Sequence, residues 1–520
     1  MAQRDHPLAR LLVLPVVLSL MAACAAAPSG PSAGTAAPTP SGPVGKLVMG
    51  MNAEIESPHP YLASQIVGIS ARLNMFDNLV DYGYDGKLVP ALAESWTVNG
   101  LTVRFKLRQG VKFHNGEDFN AEAVKSSLEH LRDAELKSPA ASNMAAVKEF
   151  TVVDPYTVDM VLSRMDARIF DVLANDFSIV PPQYIKQVGI QGFISKPVGT
   201  GPFKFVEWVK DDRLTMEANE GYWTGSYKGK PAVKTLVFRP ITTAATRVAE
   251  LRSGGVDFVH DVPPDQVASL KSAGFNVITS KSPAVQYIYF NTTSDAGAKL
   301  KDARVRLAMN YAVDVDTIIK TVLSGYGRPI SGGLTDLNMG YNADVKPFTQ
   351  DKARARQLLS DAGFANGMDL EMDITTSTKP DVAQAIIAQL AEVGVRVRLN
   401  PLPNAVYNDR WVKKQLSPLY FNTWHTFTDP ALLDLLAGCK GFLSSFCSQE
   451  AQKYLDEGGG TLDQAKRERA YKQAAAAFAK DPFAIFVNST DAINATSAKV
   501  SGWKPHGVTY IIGTSAQVKQ

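Results

Sequence analysis

Along the first half of the chain, apolar and polar residues alternate in short patches divided by turn-forming residues. Val103, Phe105 and Leu107 are separated by Arg104 and Lys106, the period of a half-buried strand, and Gln109-Gly110 and Asn115-Gly116 mark turns beyond it. Ala121 to His130 then reads as a helix. Phe203-Lys204-Phe205 and Leu214-Thr215-Met216 flank Lys210-Asp211-Asp212-Arg213, a charged stretch with the character of a hairpin tip. These patches predict a half rich in sheet.

The period changes in the second half. Val305, Ala308, Met309 and Ala312 recur at helical spacing; after Asp314, a suitable cap, Ile318, Ile319, Val322 and Leu323 repeat the pattern as far as Gly325. Leu358, Leu359 and Ala362 line a further helix stopped by Gly363. Leu370, Met372 and Ile374 alternate as a strand, Val382, Ile386, Leu390 and Val393 form a helix face ending at Gly394, and Val395, Val397 and Leu399 alternate again. Strand, helix and strand with short joints make a parallel crossover unit. A sheet-rich lobe followed by an α/β lobe predicts two bodies with a cleft between them.

Composition adds an address. Arg4 and Arg10 precede an apolar run, Leu11 to Leu20, too short to span a bilayer, and Ala22-Ala23 supply small residues for cleavage. Cys24 follows directly, so residues 1–23 read as a lipoprotein signal and Cys24 as the lipidated residue; the alternative is a plain secreted protein. In 25–45 only Val44 is neither small nor turn-forming, so 24–45 reads as a disordered tether reaching about 25 Å. The mature part, about 475 residues, exceeds what one core fills. Losing Arg4, Asp5 and Arg10 takes the formal charge from +3 to +2, and no Lys/Arg block stands out, which argues against nucleic acid. Cys439 and Cys447, close together in an exported chain, read as a local disulfide, with free thiols as the alternative; no His or third Cys at ligand spacing completes a zinc site.

Phe105-Lys106-Leu107-Arg108-Gln109-Gly110-Val111-Lys112-Phe113-His114-Asn115-Gly116, with Asn120-Ala121 and Val124, resembles the signature of the peptide/nickel family, family 5, of extracellular solute-binding proteins of ABC importers. Ala91 to Trp96, Pro197 to Phe203, Asn219 to Trp223, Leu251 to Asp257 and Asp302 to Ala308 follow in that family's order, so the resemblance spans about 46–503. The glycines and the aromatics Trp96, Phe113, Tyr222 and Trp223 in these blocks suit turns and core more than ligand contact. The resemblance implies an α/β, two-lobe periplasmic-binding-protein (Venus-flytrap) fold. Lobe I would comprise 46–86, 196–284 and 486–520, with 87–195 inserted as an extra subdomain; lobe II would be 285–485, and the hinge would lie near Gln286 to Asn291. Ligand would bridge both lobes and favour the closed form.

Two segments are placed at the cleft by resemblance. Tyr61, in Ser57-Pro58-His59-Pro60-Tyr61, offers a ring that stacks and donates a hydrogen bond, the alternative being a tyrosine that braces the turn. Trp424-His425-Thr426-Phe427-Thr428-Asp429-Pro430 matches the loop of the α/β lobe that faces the cleft. Peptide binders of the family carry an Asp in this loop for the ligand's amino terminus, and the spacing to Asp429-Pro430 puts Thr426 there; a hydroxyl does not neutralise a buried ammonium. Nickel-chelate members show an aromatic and then Asp-Pro at the spacing of Trp424 to Asp429, with His425 as a metal contact, whereas the cysteine pair sits where some dipeptide binders carry a loop disulfide. Tyr407, Asn408, Arg410 and Trp411, before the strand Leu419-Tyr420-Phe421, offer a guanidinium and rings. Asp176 and Phe177 lie in a stretch that approaches ligand in relatives.

An exported hydrolase needs a nucleophile elbow between a strand and a helix, a His-Glu-x-x-His helix or a phosphate loop; the one Gly-x-Ser-x-Gly string, Gly30 to Gly34, falls in the stretch read as a tether, and the sequence has neither of the other two. The expectation is therefore a binding protein without catalytic residue, metal or cofactor. It would be a monomer, held outside the cytoplasm by a lipid anchor in the membrane, that passes a peptide or amino-acid conjugate to an ABC permease. Nickel chelates, opines or glycosides are the alternatives on the same fold, and an exported hydrolase or an adhesin or chaperone are those of another class.

Overall fold

A computed structural model describes residues 42–424 and 428–519. The alternating patches become strands where they were read. Thr102–Leu107 buries Val103, Phe105 and Leu107 and turns Arg104 and Lys106 outward, and Phe203–Val209 pairs with Arg213–Ala218 around a tip at which Asp211 takes a positive φ of 63°. The crossover unit is Met368–Thr375, helix Asp381–Ala391 and Val395–Leu402, with the strands parallel and Met368 opposite Val395. Asp314 caps helix Val315–Thr321, its carboxylate accepting the Thr317 N–H at 2.9 Å.

A single mixed sheet threads the molecule. From one edge it runs through Val395–Leu402, Met368–Thr375, Leu419–Trp424, Asn276–Phe290, Ala484–Thr496, Phe258–Val259, Lys46–Met51, Thr235–Pro240, Arg213–Ala218 and Phe203–Val209. The first half is more α/β than its alternation implied: Lys46–Met51 lies parallel to both Thr235–Pro240 and Phe258–Val259, with helix Ala244–Ser253 between those two strands in the chain. A separate antiparallel sheet, ordered Ala93–Asn99, Thr102–Leu107, Thr157–Leu162 and Val147–Asp154, stands apart from the main one.

Hydrophobic clusters divide the same way. One joins Leu47, Phe76, Phe105, Phe203 and Phe258 to Trp503 and Ile511 from the end of the chain, which makes the first lobe. In the second lobe Tyr287, Tyr289 and Ala484 enter one cluster and Ile288, Phe290 and Ile485 another, as strand alternation requires of a sheet covered on both faces. Two lobes thus share one sheet, and the long antiparallel strands Asn276–Phe290 and Ala484–Thr496 pass from one to the other. Their register shifts between Lys281 and Val285 and again between Gln286 and Tyr287, which overlaps the start of the expected hinge.

The first lobe is organised around a buried charge. Asp77 accepts hydrogen bonds from the Lys228 ammonium at 2.8 Å, the Tyr222 hydroxyl and Trp223 indole at 2.9 Å, and the Thr200 hydroxyl at 3.0 Å. Burial alone would raise its pKa, but Lys228 and these donors outweigh it and hold the carboxylate below its ordinary range. The wording of two blocks thereby acquires a cause: Thr200, Tyr222 and Trp223 are Asp77 ligands, and a Cβ on Gly199 or Gly201 would come within 2.2 or 2.4 Å of the Met75 backbone. His114 seals the same turn, its ring nitrogens meeting Gly201 O at 2.9 Å and Gly199 N at 3.3 Å.

Histidines are buried neutral in this lobe. The Tyr61 N–H donates to His59 Nδ1 at 3.1 Å, so the His59 proton sits on Nε2 and points at His130 Nε2, 3.0 Å away. Burial first, and His130 second, pull the His59 pKa down to about 3; burial takes His114 and His506 to about 4. Each of these groups binds protons more readily unfolded, where it titrates near 6.5, so its contribution is complete above that pH and is lost as pH falls toward the folded value. Between pH 7.5 and 5 each of the three rings should take away about 2 kcal/mol of stability, read as the difference in the pH dependence of the urea midpoint between the wild type and a variant with that ring replaced by glutamine. An equal pH dependence in the two would show that the ring does not titrate as a buried group.

Candidate functional site

The second lobe touches the first through the segment that follows Leu419–Trp424. This strand pairs with Asn276–Phe290, Trp424 opposite Val285, and so delivers its C-terminal end to the junction. The Thr428 hydroxyl donates to Asp171 Oδ1, across the lobes. Asp171 lies on helix Ile169–Asp176, whose Val172 and Leu173 are buried, leaving Asp171 and Asn175 half-buried on another face. Its Oδ1 also accepts the Tyr82 hydroxyl at 2.7 Å and the Asn175 side-chain amide at 2.9 Å. Tyr510, from the end of the chain, donates to Asn175, whose backbone carbonyl accepts from Arg72. Residues from three distant stretches of the sequence, at 82, 171–175 and 428, therefore meet at one carboxylate.

The loop is anchored from behind by a buried ion pair. Asp429 Oδ1 accepts from Arg467 at 2.6 Å and from the Ala431 N–H at 2.8 Å, with the side chains of Arg467 and Asp429 only 6% and 9% exposed. Asp429 is thus committed to holding its own loop. Burial, and next the neighbouring Asp429 carboxylate, push the Asp171 pKa up to about 7; burial raises that of Asp176. Arg168 pairs with Asp166 at 3.1 Å on the near side.

The residues expected at the site fall into three groups. Trp424 and Asp176 reach the junction: Trp424 is half-buried with its ring 6.3 Å from that of Trp411, and Asp176 is half-buried, accepting from Asn143 at 2.8 Å. Arg410 is half-buried on helix Asn404–Val412, a segment read as the approach to a strand. Tyr61, Phe177 and Tyr407 point into the cores. Tyr61 is fully buried with its hydroxyl on Ser178 O, the bracing role; Phe177 stacks on Phe150 at 5.4 Å; the Tyr407 hydroxyl donates to Phe421 O at 2.9 Å. In this conformation none of these three rings presents a surface to a ligand, because each is enclosed by its own lobe. His425, Thr426 and Phe427 lie outside the described residues, as does Cys24. Cys439 and Cys447 form a disulfide.

Sequence reading missed Tyr82, Asp171, Asn175, Tyr510 and the inter-lobe role of Thr428. Asp171 and Thr428 are 257 residues apart and share no spacing that signals contact. A groove of about 980 Å³ lies along Met368–Thr375 and Val395–Leu402, lined by Asp369, Glu371, Arg396 and Arg398 among others, and none of its lining residues takes part in the junction. Among the described residues no group of three or more His, Cys, Asp or Glu is placed to hold a metal, and no helix is long and apolar enough to cross a membrane.

The model of the bacterial extracellular solute-binding proteins, family 5, matches residues 87–443. The glutathione-binding protein GsiB of Pectobacterium atrosepticum is 30% identical over 478 residues, covering 88% of this chain and 91% of its own. Among solved structures, the periplasmic binding protein DppA of Helicobacter pylori in complex with the peptide STSA is 26% identical with a TM-score of 0.76, covering 92% of this chain and 98% of its own. AgaA of A. tumefaciens R10 in complex with agropinic acid is also 26% identical, with a TM-score of 0.74 and coverage of 92% and 99%.

Replacing Asp429 with Ala should cost about 3 kcal/mol in urea unfolding, because it strands a buried guanidinium. A loss below about 1 kcal/mol would mean that Arg467 finds water or another partner, and that the loop does not depend on this pair.

Proposed function

Since the chain belongs to the bacterial extracellular solute-binding proteins of family 5, and is a binding protein of ABC importers rather than an enzyme, we propose that it captures a peptide or amino-acid conjugate between its lobes and hands it to a membrane permease. The observation that carries this reading is the junction itself. A loop of one lobe, Thr428-Asp429, closes onto a wall of the other, Tyr82, Asp171 and Asn175, with hydrogen-bonding side chains on both sides. A solute seated there gains contacts from both lobes only when they close, so binding and closure are one equilibrium.

The ligand class follows from the relatives and from the polarity of the wall. GsiB binds glutathione and DppA holds a peptide, both decorated with amides, carboxylates and an ammonium. The wall of this chain presents Asn143, Asn175, Asp171, Asp176 and Tyr82, a set suited to amide and ammonium groups. Thr426, where peptide binders place a carboxylate, leaves Asp176 of the first lobe to pair with a ligand ammonium. Opines, amino-acid conjugates such as the agropinic acid of AgaA, are the second reading. We assign lobe I to 46–86, 196–284 and 486–520 with 87–195 inserted, lobe II to 285–485, and the anchor to a lipid on Cys24, which holds a monomer at the outer side of the membrane.

Native mass spectrometry before and after mild unfolding is the direct test. A co-purified peptide or amino-acid conjugate released on unfolding is expected; steady conversion of an added solute to a product of different mass would overturn the binding reading. Trp424→Ala should weaken capture of that solute about tenfold or more while leaving the melting temperature within a few degrees. Unchanged affinity would remove the loop from the site.

A further inference from the structure

Among the described residues every donor that reaches Asp171 is neutral. Its Oδ1 takes the Tyr82 hydroxyl, the Asn175 amide and the Thr428 hydroxyl, two from its own lobe and one from the other. The nearby cations are committed elsewhere. From just ahead of the same helix, Arg168 pairs with Asp166 at 3.1 Å; from the second lobe, Arg467 pairs with Asp429 at 2.6 Å; from helix Ile66–Met75, Arg72 donates to the carbonyls of Pro60 and Asn175. Asp176, on the same helix, accepts from Asn143, and Tyr510 from the C-terminal segment is spent on Asn175. Closure therefore brings to Asp171 a hydroxyl and, one residue on, the carboxylate of Asp429. Among the described residues it removes water and supplies no cation.

We propose that Asp171 is a proton-coupled latch: closing the lobes seats the Thr428 hydroxyl on Oδ1 and draws one proton from solvent onto Oδ2, so that acidification through neutrality favours the closed form. The inference rests on the two-lobe clamp reading given under Proposed function and adds to it a dependence on pH that no ligand is needed to reveal. In the closed form, burial and then Asp429 push the Asp171 pKa up to about 7. When the loop withdraws, water returns to the carboxylate and Asp429 leaves, so the open form holds the proton less tightly. The closed form thus has its full advantage at low pH and loses it as pH rises through about 7. The buried histidines titrate inside the first lobe and act on unfolding, not on the separation of the lobes.

The test is small-angle X-ray scattering of the ligand-stripped full chain from pH 5.5 to 8.5, for the wild type, Asp171→Asn and Thr428→Val. The wild-type radius of gyration should increase as pH rises, with the closed-to-open ratio falling by up to about tenfold per pH unit above 7. Asp171→Asn, a permanent mimic of the protonated group, should stay closed and lose the response; Thr428→Val should be more open at pH 6. The asparagine variant isolates the carboxyl, since a response owed to any other group would survive the substitution. A wild-type radius independent of pH, or an equal response in Asp171→Asn, overturns the proposal. Thermal melts at pH 7.5 establish that both variants fold. Failure of the solute-binding reading would appear in the mass spectrum and leave this scattering result untouched.

Discussion

The constraint on which the molecule depends is that two hydrogen-bonded strands carry the chain from one lobe to the other. Asn276–Phe290 and Ala484–Thr496 pair from Asn276 with Thr496 in the first lobe to Tyr289 with Ala484 in the second. A ladder of this kind resists bending except where its pairing is interrupted. Interruptions fall between Lys281 and Val285 and between Gln286 and Tyr287, where a bend breaks the fewest ladder bonds. Side chains brace the same segment. Arg328 meets Asp336 at 2.9 Å, Asp491 at 3.1 Å and the Ser282 carbonyl at 3.0 Å, while Lys281 pairs with Asp336 and the Ser489 hydroxyl holds the Ser282 carbonyl at 2.8 Å. Such a network stiffens a break in the ladder without closing it.

A hinge transmits force only between bodies that do not themselves yield, and each lobe has a buried charge that makes it rigid. In the first, Lys228 and three neutral donors converge on Asp77. In the second, Arg306 is enclosed, donating to the carbonyls of Pro482 and Lys301 and pairing with Asp481. Breaking either would leave a desolvated charge, at a cost of several kcal/mol, far more than a lobe motion supplies. Closure is consequently a movement of two bodies that meet at the polar groups of the junction.

Much of this was legible in the sequence, for reasons that differ by residue. The family's blocks are strings of local necessity: Gly199 and Gly201 face the Met75 backbone, and Thr200, Tyr222 and Trp223 are Asp77 ligands, so few other residues serve. Periodicity found the crossover unit because both its strands and its helix are half-buried. It failed at Tyr407 and Trp411, whose i, i+4 spacing is that of a buried helix face; read as rings near a ligand, they line the core of helix Asn404–Val412. Tyr61 and Phe177 were misleading in the same manner, since a ring beside a turn serves a core as readily as a cleft. The Asp171 junction was illegible for another reason: its partners come from residues 82, 175 and 428, and only the fold brings them together.

The chemistry of that junction suits a clamp that must open as easily as it shuts. A buried ion pair across the lobes would cost about 3 to 5 kcal/mol to break, which would hold an empty protein closed by a factor of several hundred or more. A hydroxyl on a carboxyl contributes only about 1 to 3 kcal/mol net. With Thr428 as the bridging donor and the arginines tied to carboxylates of their own lobes, closure without solute stays marginal once Asp171 is ionised. The equilibrium is then set by whatever the ligand adds, since a ligand shifts two states only by its difference in affinity for them. A transport receptor with a strong latch of its own would shut on nothing; one with neutral donors at the seam leaves that decision to its cargo.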